Sequence, residues 1–515
     1  MTTLEVNAIE YLYKEGDNEI EQAKSILNKL YLKNLDSKGV GRWDEEYYLT
    51  GLYHPLRSMR HINDLDHTTK LESRYLALSK VFDVYIHIPF CHVNCSFCHF
   101  YKEIISRAKT NHLEDVYITA ILKEVENYTE LMNGRIKPNS IQFGGGTPSA
   151  ISVGGLKRLL NGLSERFDFD GCQEIKFEFH PDMHLNLTEY REKLRLLKDF
   201  GLTTAIIDIE ATNEKVLKGI RRGNTSSNGY LDLIKIAKEE NVESIASAFM
   251  IGLPYETPDS FLETLKVISN IDGLDAINIY PLMFKPSDSI FQKRRREPGI
   301  FTTPYEKDLM MIMAEKILRQ SGFKEGPAHF FTKESHNPAQ QVSKASSKSL
   351  LGLGPASFGY LDFENSGLQY MNFPDLDKYH QAVMSGKTGQ WRYSFMNEEQ
   401  VSLRKLIFAL NSFDYVDSRL IEKANLATSD DYLIYAIKAM IDLNLLKQNN
   451  GMLAFTPRGR LRNSEVLYFL CEQDKMKWNE DDPEYSLLRR YEFFPNISKD
   501  NELLFKQFMN KKARE

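Results

Sequence analysis

Three of the chain's five cysteines lie close together, in the segment Cys91-His-Val-Asn-Cys95-Ser-Phe-Cys98. Thiolates on one tight loop can each bind one iron of a cubane iron–sulfur cluster, which leaves the fourth iron without a protein ligand. A zinc site is an alternative, because His92 or His99 could supply a fourth ligand. Three inert buried thiols are a further alternative. We predict that the three cysteines are metal ligands.

A glycine run, Gly144-Gly145-Gly146-Thr147-Pro148, follows a predicted strand. Glycines let the backbone approach a ligand closely, and free peptide groups can bond a small zwitterion. Glu178 ends the next predicted strand, where its carboxylate can bind ligand hydroxyls or simply be solvated. Glu210 follows the predicted strand Thr203–Ile209, and Arg222 can pair with a carboxylate or lie on the surface. We treat the glycine run and these charged residues as candidate ligand contacts.

An iron without a protein ligand can be chelated by the amino and carboxylate groups of an amino acid. If that amino acid is the methionine end of S-adenosylmethionine (SAM), the sulfonium lies against the cluster. One-electron reduction through the iron then breaks the S–C5′ bond and gives methionine and a 5′-deoxyadenosyl radical, which abstracts hydrogen. The residues therefore predict a [4Fe–4S] cluster and SAM as cofactors.

Strands and helical segments alternate from Val81 to about residue 280, which is typical of βαβ units and a parallel sheet. About six such units predict an α/β fold, a partial or full β/α barrel. The cysteine segment, the glycine run and Pro254 each follow a predicted strand. Active sites of β/α barrels lie at the carboxyl ends of the strands, so these features should share one face.

The chain divides into regions of different pattern. The C-terminal region combines three predicted helices with a hairpin around Asn449-Asn450-Gly451, which is winged-helix-like. The N-terminal region is either a packing arm or a lid over the site. The predicted boundaries are an N-terminal helical arm at 1–80, a core at 81–315, a connecting and barrel-closing segment at 316–395, a C-terminal module at 396–475 and a tail at 476–515.

Composition narrows the classes of protein. The 515 residues carry a formal net charge of −6, which argues against nucleic acid as a partner. An odd, clustered set of cysteines is a poor disulfide framework. We see neither a signal-type apolar segment nor the roughly 20 apolar residues of a membrane helix. We therefore expect a soluble protein of the reducing cytoplasm, without a nucleic-acid or membrane partner.

The ordered motifs resemble those of the radical SAM family typified by oxygen-independent coproporphyrinogen III oxidase. The resemblance runs from about Val84 to Arg460 and implies a partial (β/α)6 radical SAM barrel with a C-terminal helical module. Besides the cysteines, Glu178 and Arg222, it covers Tyr85-Ile-His87-Ile-Pro89-Phe90, Phe143-Gly-Gly-Gly-Thr-Pro148, Gly252-Leu-Pro254, Leu351-Gly-Leu-Gly354 and Phe455-Thr-Pro-Arg-Gly-Arg460.

The resemblance also implies roles for individual residues. Phe97 would flank the adenine of SAM, Tyr85 would lie against its sulfonium, and His87 would lie near the cluster. The Gly144–Thr147 loop would lie near one or two bound SAM molecules. Tyr85 and His87 are thus the candidate catalytic residues.

Three positions depart from the strict oxidases. Phe100 stands where those enzymes carry a further cysteine, Glu210 replaces a glutamine, and Ala248 replaces an aspartate four residues before the glycine of Gly252-Leu-Pro254. The run Cys95-Ser-Phe-Cys-His-Phe-Tyr101 is similar to relatives with other tasks. Those relatives include methyltransferases or cyclopropanases that use a second SAM, enzymes that open haem anaerobically, and haem chaperones.

Three hypotheses follow. The first is a radical SAM enzyme that modifies an organic small molecule, with or without methyl transfer from a second SAM. The second is an oxygen-independent coproporphyrinogen III oxidase or an anaerobic haem-modifying enzyme. The third is a haem chaperone without turnover. The expected partners are a small-molecule substrate, for which a tetrapyrrole is a candidate, and a reducing electron donor such as flavodoxin or ferredoxin.

Overall fold

A computed structural model describes residues 18–42, 59–61, 81–105, 110–181, 186–222, 225, 227–285, 288–326, 329–334, 349–412, 415–472, 481–484 and 499–512. Its strands are β1 Arg60–His61, β2 Val81–Ile88, β3 Phe90–Cys91, β4 Glu103–Ile104, β5 Lys137–Gly145, β6 Glu174–Phe179, β7 Thr204–Ile207, β8 Ser244–Ile251, β9 Ala276–Pro281, β10 Lys324–Glu325, β11 Phe330–Thr332, β12 Leu350–Leu353, β13 Phe358–Phe363, β14 Ser366–Asn372, β15 Gln390–Asn397, β16 Val416–Asp417, β17 Leu446–Asn449 and β18 Met452–Phe455.

The helices alternate with these strands through the core and then form most of the C-terminal region. They are α1 Glu19–Leu30, α2 Thr110–Leu131, α3 Val153–Arg166, α4 Leu187–Phe200, α5 Glu214–Gly219, α6 Ser227–Glu239, α7 Pro258–Ser269, α8 Ser289–Arg296, α9 Pro304–Gln320, α10 Leu376–Met384, α11 Glu398–Asn411, α12 Ser418–Asn425, α13 Tyr432–Asp442, α14 Pro457–Arg460, α15 Asn463–Leu470 and α16 Lys499–Lys512. Short 3₁₀ helices lie at Leu32–Lys38, Pro148–Ala150 and Pro298–Ile300.

Six neighbouring strands, β2 and β5 to β9, run parallel in chain order. Strands such as β2 and β8 are buried at nearly every position, as expected for a parallel sheet covered on both faces. Their carboxyl ends therefore lie along one edge: His87 of β2, for example, is paired with Gly144 of β5. The predicted α/β fold with a partial (β/α)6 barrel is confirmed.

Both flanks of the parallel strands continue as a mixed sheet. On one side, β9 pairs antiparallel with β11, and β11 with β10. On the other side, β12 pairs parallel with β2, so that Leu351 lies opposite Val84, and antiparallel strands β13, β14, β15 and β1 follow. Within the described residues the sheet runs from β1 to β10 without closing, which is why the barrel is partial.

The N-terminal helix α1 packs against α9. Nearby, Arg42 Nε lies 2.5 Å from Asp308 Oδ1, and Arg462 makes a second buried pair with the same carboxylate. These contacts connect the N-terminal segment to α9 and to the C-terminal region. Residues 1–17, 43–58 and 62–80 lie outside the described residues, so the lid interpretation stays a prediction.

The C-terminal region contains α11 to α13 beside a small antiparallel sheet in the order β16-β18-β17. The hairpin between β17 and β18 turns at Asn450 and Gly451, whose φ angles are +50° and +75°. A two-residue turn with both φ angles positive matches the twist of a hairpin and favours Asn-Gly. The predicted winged-helix-like module is confirmed. Among the described helices, none is both long and apolar enough to cross a membrane.

Candidate active site

A cavity of about 600 Å³ opens at the carboxyl ends of the parallel strands. Most of the predicted site residues line it: Cys91, Cys95, Phe97, Cys98, Gly145, Gly146, Thr147, Glu178, Glu210 and Arg222. Tyr85, His87 and Gly144 are not part of its lining and lie directly behind it. The strands thus bring together residues that are far apart in the sequence.

The cysteine loop is held from both ends. Cys91 lies in β3, and its Sγ is 3.4 Å from Thr147 Oγ1 of the glycine loop. Further along, Cys98 N–H donates to Cys95 O at 3.3 Å, and Lys102 Nζ donates to Cys98 O at 2.9 Å. All three cysteines are free. The loop therefore presents three thiols to one cavity.

In the part of the chain that the structure describes, no three His, Cys, Asp or Glu side chains converge on a point suited to a single metal ion. A tetrahedral zinc site needs such convergence. A cubane cluster does not, because each thiolate binds a different iron. The three free thiols of the cysteine loop are the groups that a cluster would bind. Burial raises the pKa of Cys91 to about 12, and bound metal would instead keep the thiolate form.

Tyr85 and His87 project from β2 toward the glycine loop. Tyr85 Oη lies 3.3 Å from His87 Nδ1, and His87 Nε2 lies 3.0 Å from Tyr101 O. Because a carbonyl only accepts, Nε2 carries the proton and Nδ1 accepts from Tyr85. Burial lowers the pKa of His87 to about 4. The imidazole is therefore neutral, with both nitrogens bonded.

The glycine run makes close backbone approaches that a side chain would block. Gly145 has a φ of +113°, and a Cβ there would lie 2.6 Å from His87 Nδ1. A Cβ on Gly146 would lie 2.7 Å from Phe90 O, where Thr147 N–H also donates at 2.7 Å. The run therefore has to be glycine to pack beside the strand that leads into the cysteines.

Three buried carboxylates surround the inner part of the cavity. Glu178 accepts from Gln142 Nε2 at 2.8 Å, and burial raises the pKa of Glu178 to about 8. Asp208 Oδ1 accepts from Ala248 N–H at 2.7 Å. Burial also raises the pKa values of Asp208 and Glu210, while Arg222 lowers both. Such a pocket favours a cationic ligand, because a nearby cation would stabilise the ionised forms.

Arg222 is the cation that crosses this pocket. Its Nη2 lies 2.9 Å from Glu210 Oε1, its Nη1 lies 2.9 Å from His180 Nδ1, and Nη1 also donates to Asp208 O at 3.2 Å. The guanidinium lies 5.7 Å from the ring of Phe97. Its buried Nε makes no hydrogen bond among the described residues, and the Cys95 thiol is a further electrostatic partner of the guanidinium.

Asp208, His180 and Lys193 line the same cavity and were not among the predicted site residues. Asp208 was placed inside a predicted strand that in fact ends at Ile207. His180 directly follows β6, which was the available signal, because residues at strand ends face the site. Lys193 lies within α4 and donates to Ser149 O at 2.8 Å. No motif pointed to it.

Comparisons with known proteins agree with this geometry. The family model of the Radical SAM superfamily matches residues 85–268 of this chain. These residues include the cysteine loop, the glycine run, Glu178 and Arg222. Oxygen-independent coproporphyrinogen III oxidase from Escherichia coli is 25% identical over 396 residues, covering 73% of this chain and 82% of the relative. Residues 85–268 of this chain therefore form a radical SAM domain.

Other similar proteins carry names that concern haem. Heme chaperone HemW from Buchnera aphidicola is 28% identical, covering 55% of this chain and 71% of its own. Anaerobilin synthase from Escherichia coli O157:H7 is 23% identical, and the match covers 61% of this chain and 70% of the synthase. The solved structure of Escherichia coli coproporphyrinogen III oxidase, at 22% identity, has the same fold, with a TM-score of 0.68 over 84% of this chain and 99% of that one.

Radical SAM proteins use a [4Fe–4S] cluster and SAM. The residues present fit both groups. Three free thiols face one cavity, as a cluster with one open iron needs. The buried carboxylates suit the sulfonium and ammonium of SAM, and the free Nε of Arg222 suits its carboxylate or hydroxyl oxygens.

Proposed function

We propose that Cys91, Cys95 and Cys98 bind the [4Fe–4S] cluster and that the cavity beside them binds SAM. The observation that carries this proposal is the single cavity, lined by all three cysteines, the glycine loop and the charged residues of β6 and the segment after β7. When bound together, the cluster and SAM supply a 5′-deoxyadenosyl radical by one-electron cleavage of the S–C5′ bond.

The protein's own residues then bind and orient SAM. We assign the ribose hydroxyls or the cationic groups of SAM to the carboxylates of Glu178, Asp208 and Glu210. Arg222 lowers the pKa values of Glu210 and Asp208 and so favours their ionised forms, and it offers Nε to the ligand. Phe97 covers the adenine.

Asp208 lies next to a position at which this chain departs from the strict oxidases. Ala248 stands where the strict oxidases carry an aspartate, and Asp208 Oδ1 lies 2.7 Å from Ala248 N. The carboxylate of Asp208, on the neighbouring strand end, therefore bonds the backbone of that position. We infer that it supplies a carboxylate at this edge of the sheet in place of the missing aspartate.

Tyr85 and His87 support the site from behind. The neutral His87 bonds Tyr85 and the carbonyl of Tyr101, so its ring cannot rotate without losing a buried hydrogen bond. Gly145 packs against that ring. We assign His87 the role of fixing the glycine loop, and Tyr85, which lies behind the cavity lining, the role of donating to His87.

We further propose a tetrapyrrole as the substrate class. The named tasks of the relatives concern coproporphyrinogen, haem and anaerobilin, which share this chemistry. The test is an anaerobic incubation of the reconstituted protein with dithionite, SAM and candidate tetrapyrroles, with 5′-deoxyadenosine and S-adenosylhomocysteine measured together.

The products separate the reaction classes. A rise of 5′-deoxyadenosine with coproporphyrinogen supports the oxidase-like reaction. Formation of both products supports a reaction in which a second SAM donates methyl. The proposal for the substrate class fails if no tetrapyrrole raises either product above the uncoupled rate.

A second candidate is haem binding without turnover, which the match to the heme chaperone favours. A chaperone of this kind would bind haem stoichiometrically and give only background 5′-deoxyadenosine. Spectral titration with haem, run beside the product assay, distinguishes it from the enzyme.

A further inference from the structure

A group of basic side chains lies on two segments that flank the cysteine loop. We define the basic patch as Lys215, Lys218, Arg221, Lys293, Arg295 and Arg296, all exposed except the half-buried Lys293. It lies on a chain whose formal net charge is −6. A local positive field on an acidic protein favours an acidic partner and speeds its association.

The ring of Tyr255 joins the two segments. Lys215 Nζ lies 4.9 Å from the ring centroid and Lys293 Nζ lies 5.0 Å from it, both within cation–π range. Gly219 packs against the same ring, since a Cβ there would lie 2.9 Å from it. The ring therefore brings Lys215 of one basic segment next to Lys293 of the other.

Hydrogen bonds connect this surface to the cysteine loop. Ser96 N–H donates to Ile220 O at 3.1 Å, and Ser289 Oγ donates to Ser96 O at 3.2 Å. Ile220 directly precedes Arg221, and Ser289 begins α8, the helix that ends in the patch. Ser96 itself lies between Cys95 and Cys98. The two basic segments are thus bonded to the loop from both sides.

We propose that the basic patch is the docking surface for an acidic one-electron carrier protein that reduces the cluster. The proposal rests on the proposed function, because it requires the cysteine loop to hold the cluster. One electron leaves the carrier and enters the oxidised cluster, and the docking step moves no proton and breaks no bond. Electron transfer slows steeply with distance, so the carrier has to bind beside this loop.

Acidic residues of the same segments do not cancel the charge. Glu214 pairs with Lys218 at 3.4 Å, and Glu297 is exposed after α8. With the half-buried Asp288 before α8, three carboxylates stand against the six cations of the basic patch. The surface remains positive and suits an acidic carrier of the flavodoxin or ferredoxin class.

The test compares two charge-reversal variants of the full reconstituted protein. Arg295→Glu/Arg296→Glu changes the basic patch. Arg419→Glu/Lys438→Glu makes the same charge change on exposed residues of the C-terminal module. Formation of 5′-deoxyadenosine is measured with dithionite and, separately, with a bacterial flavodoxin and its NADPH-dependent reductase.

The flavodoxin-driven rate of the patch variant should fall about tenfold or more at low ionic strength, while its dithionite-driven rate stays at the parent value. The C-terminal variant should keep both rates. Added salt should lower the parent's flavodoxin-driven rate toward that of the patch variant, because surface charges are screened. Calorimetric binding of oxidised flavodoxin should weaken by a similar factor.

Two results would overturn the proposal. Unchanged flavodoxin-driven rate and binding would place the docking surface elsewhere. An equal fall with dithionite would assign the basic patch to substrate or catalysis. If the parent forms no 5′-deoxyadenosine with dithionite, the proposed function fails instead, and the binding measurement still decides whether the patch receives the carrier.

Discussion

Replacing Arg222 by methionine removes the cation on which the inner part of the cavity depends. The variant leaves Glu210 without its ion pair at 2.9 Å, and His180 Nδ1 and Asp208 O without a donor. The side chains of Arg222 and Glu210 are only 13% and 9% exposed, so water cannot replace the lost contacts fully. We expect a large loss of stability from this single change.

The size of the loss can be worked from the geometry. Two unit charges about 4 Å apart at an effective dielectric constant of about 20 interact by about 4 kcal/mol. Removing one partner of a buried pair costs about 3–5 kcal/mol in comparable cases. Glu210→Gln should cost less than Arg222→Met, because the amide oxygen of glutamine still accepts from Arg222.

The free energy of unfolding that Arg222→Met loses should depend on pH, and the direction of that dependence follows from the pKa of Glu210. Burial raises the pKa of Glu210, and Arg222 opposes that rise. Without Arg222 the folded protein holds the Glu210 proton to higher pH than before, while the unfolded chain releases it near its ordinary value. The pKa of Glu210 in the parent is about 7, so the two folded proteins differ in bound protons only from about that pH upward, and the deficit of Arg222→Met relative to the parent should grow as pH rises above about 7.

Urea unfolding of the cluster-free protein at several pH values measures this deficit. The matched control is Arg195→Met. Arg195 also pairs with a carboxylate, Glu240, at 2.9 Å, but its side chain is 66% exposed, so little change is expected. A deficit for Arg222→Met as small as that of Arg195→Met, or one that does not vary with pH, would refute the reasoning.

Three further predictions follow from the same site. Cys95→Ser should lose bound iron and SAM cleavage, whereas Cys172→Ser should keep both; equal iron contents in the two variants would contradict the ligand assignment. Glu178→Gln should keep the cluster but weaken SAM binding. The parent's affinity for SAM should rise more than the variant's as pH passes about 8, where Glu178 ionises. Parallel calorimetric curves of SAM affinity against pH would exclude a contact between Glu178 and SAM. Burial lowers the pKa of His87 from 6.5 to about 4, so the free energy of unfolding should fall by about 3 kcal/mol between pH 6.5 and pH 4. The free energy of unfolding of His87→Gln should fall by less over the same range. Identical pH profiles of the two proteins in urea titrations would disprove this role of His87.

Much of the site could be located from the sequence, for a physical reason. The cysteine segment and the glycine run both follow parallel strands, and parallel strands end at one edge of the sheet. Gly145 and Gly146 had to be glycine because the chain passes against His87 and Phe90. Local sequence and topology therefore predicted the same cavity lining.

The interior charges could not be derived in this way. The predicted strand Thr203–Ile209 includes Asp208, yet β7 ends at Ile207 and Glu210 takes a φ of +70°. That turn directs two carboxylates toward Arg222. Pairing of β12 with β2 was likewise not predictable, because no local pattern relates strands so far apart in the chain.

The pairing of β12 with β2 bears on how the protein is made. A ribosome delivers β2 early, but the strand that covers its outer edge emerges only after every other strand of the parallel core. Until then β2, which is buried at nearly every position of the folded protein, presents unpaired backbone groups to other chains, which is an aggregation hazard. Yield during synthesis should therefore depend on chaperones that shield this edge. Shortened versions that stop before Leu350 should precipitate, even though they retain the whole set of cavity-lining residues.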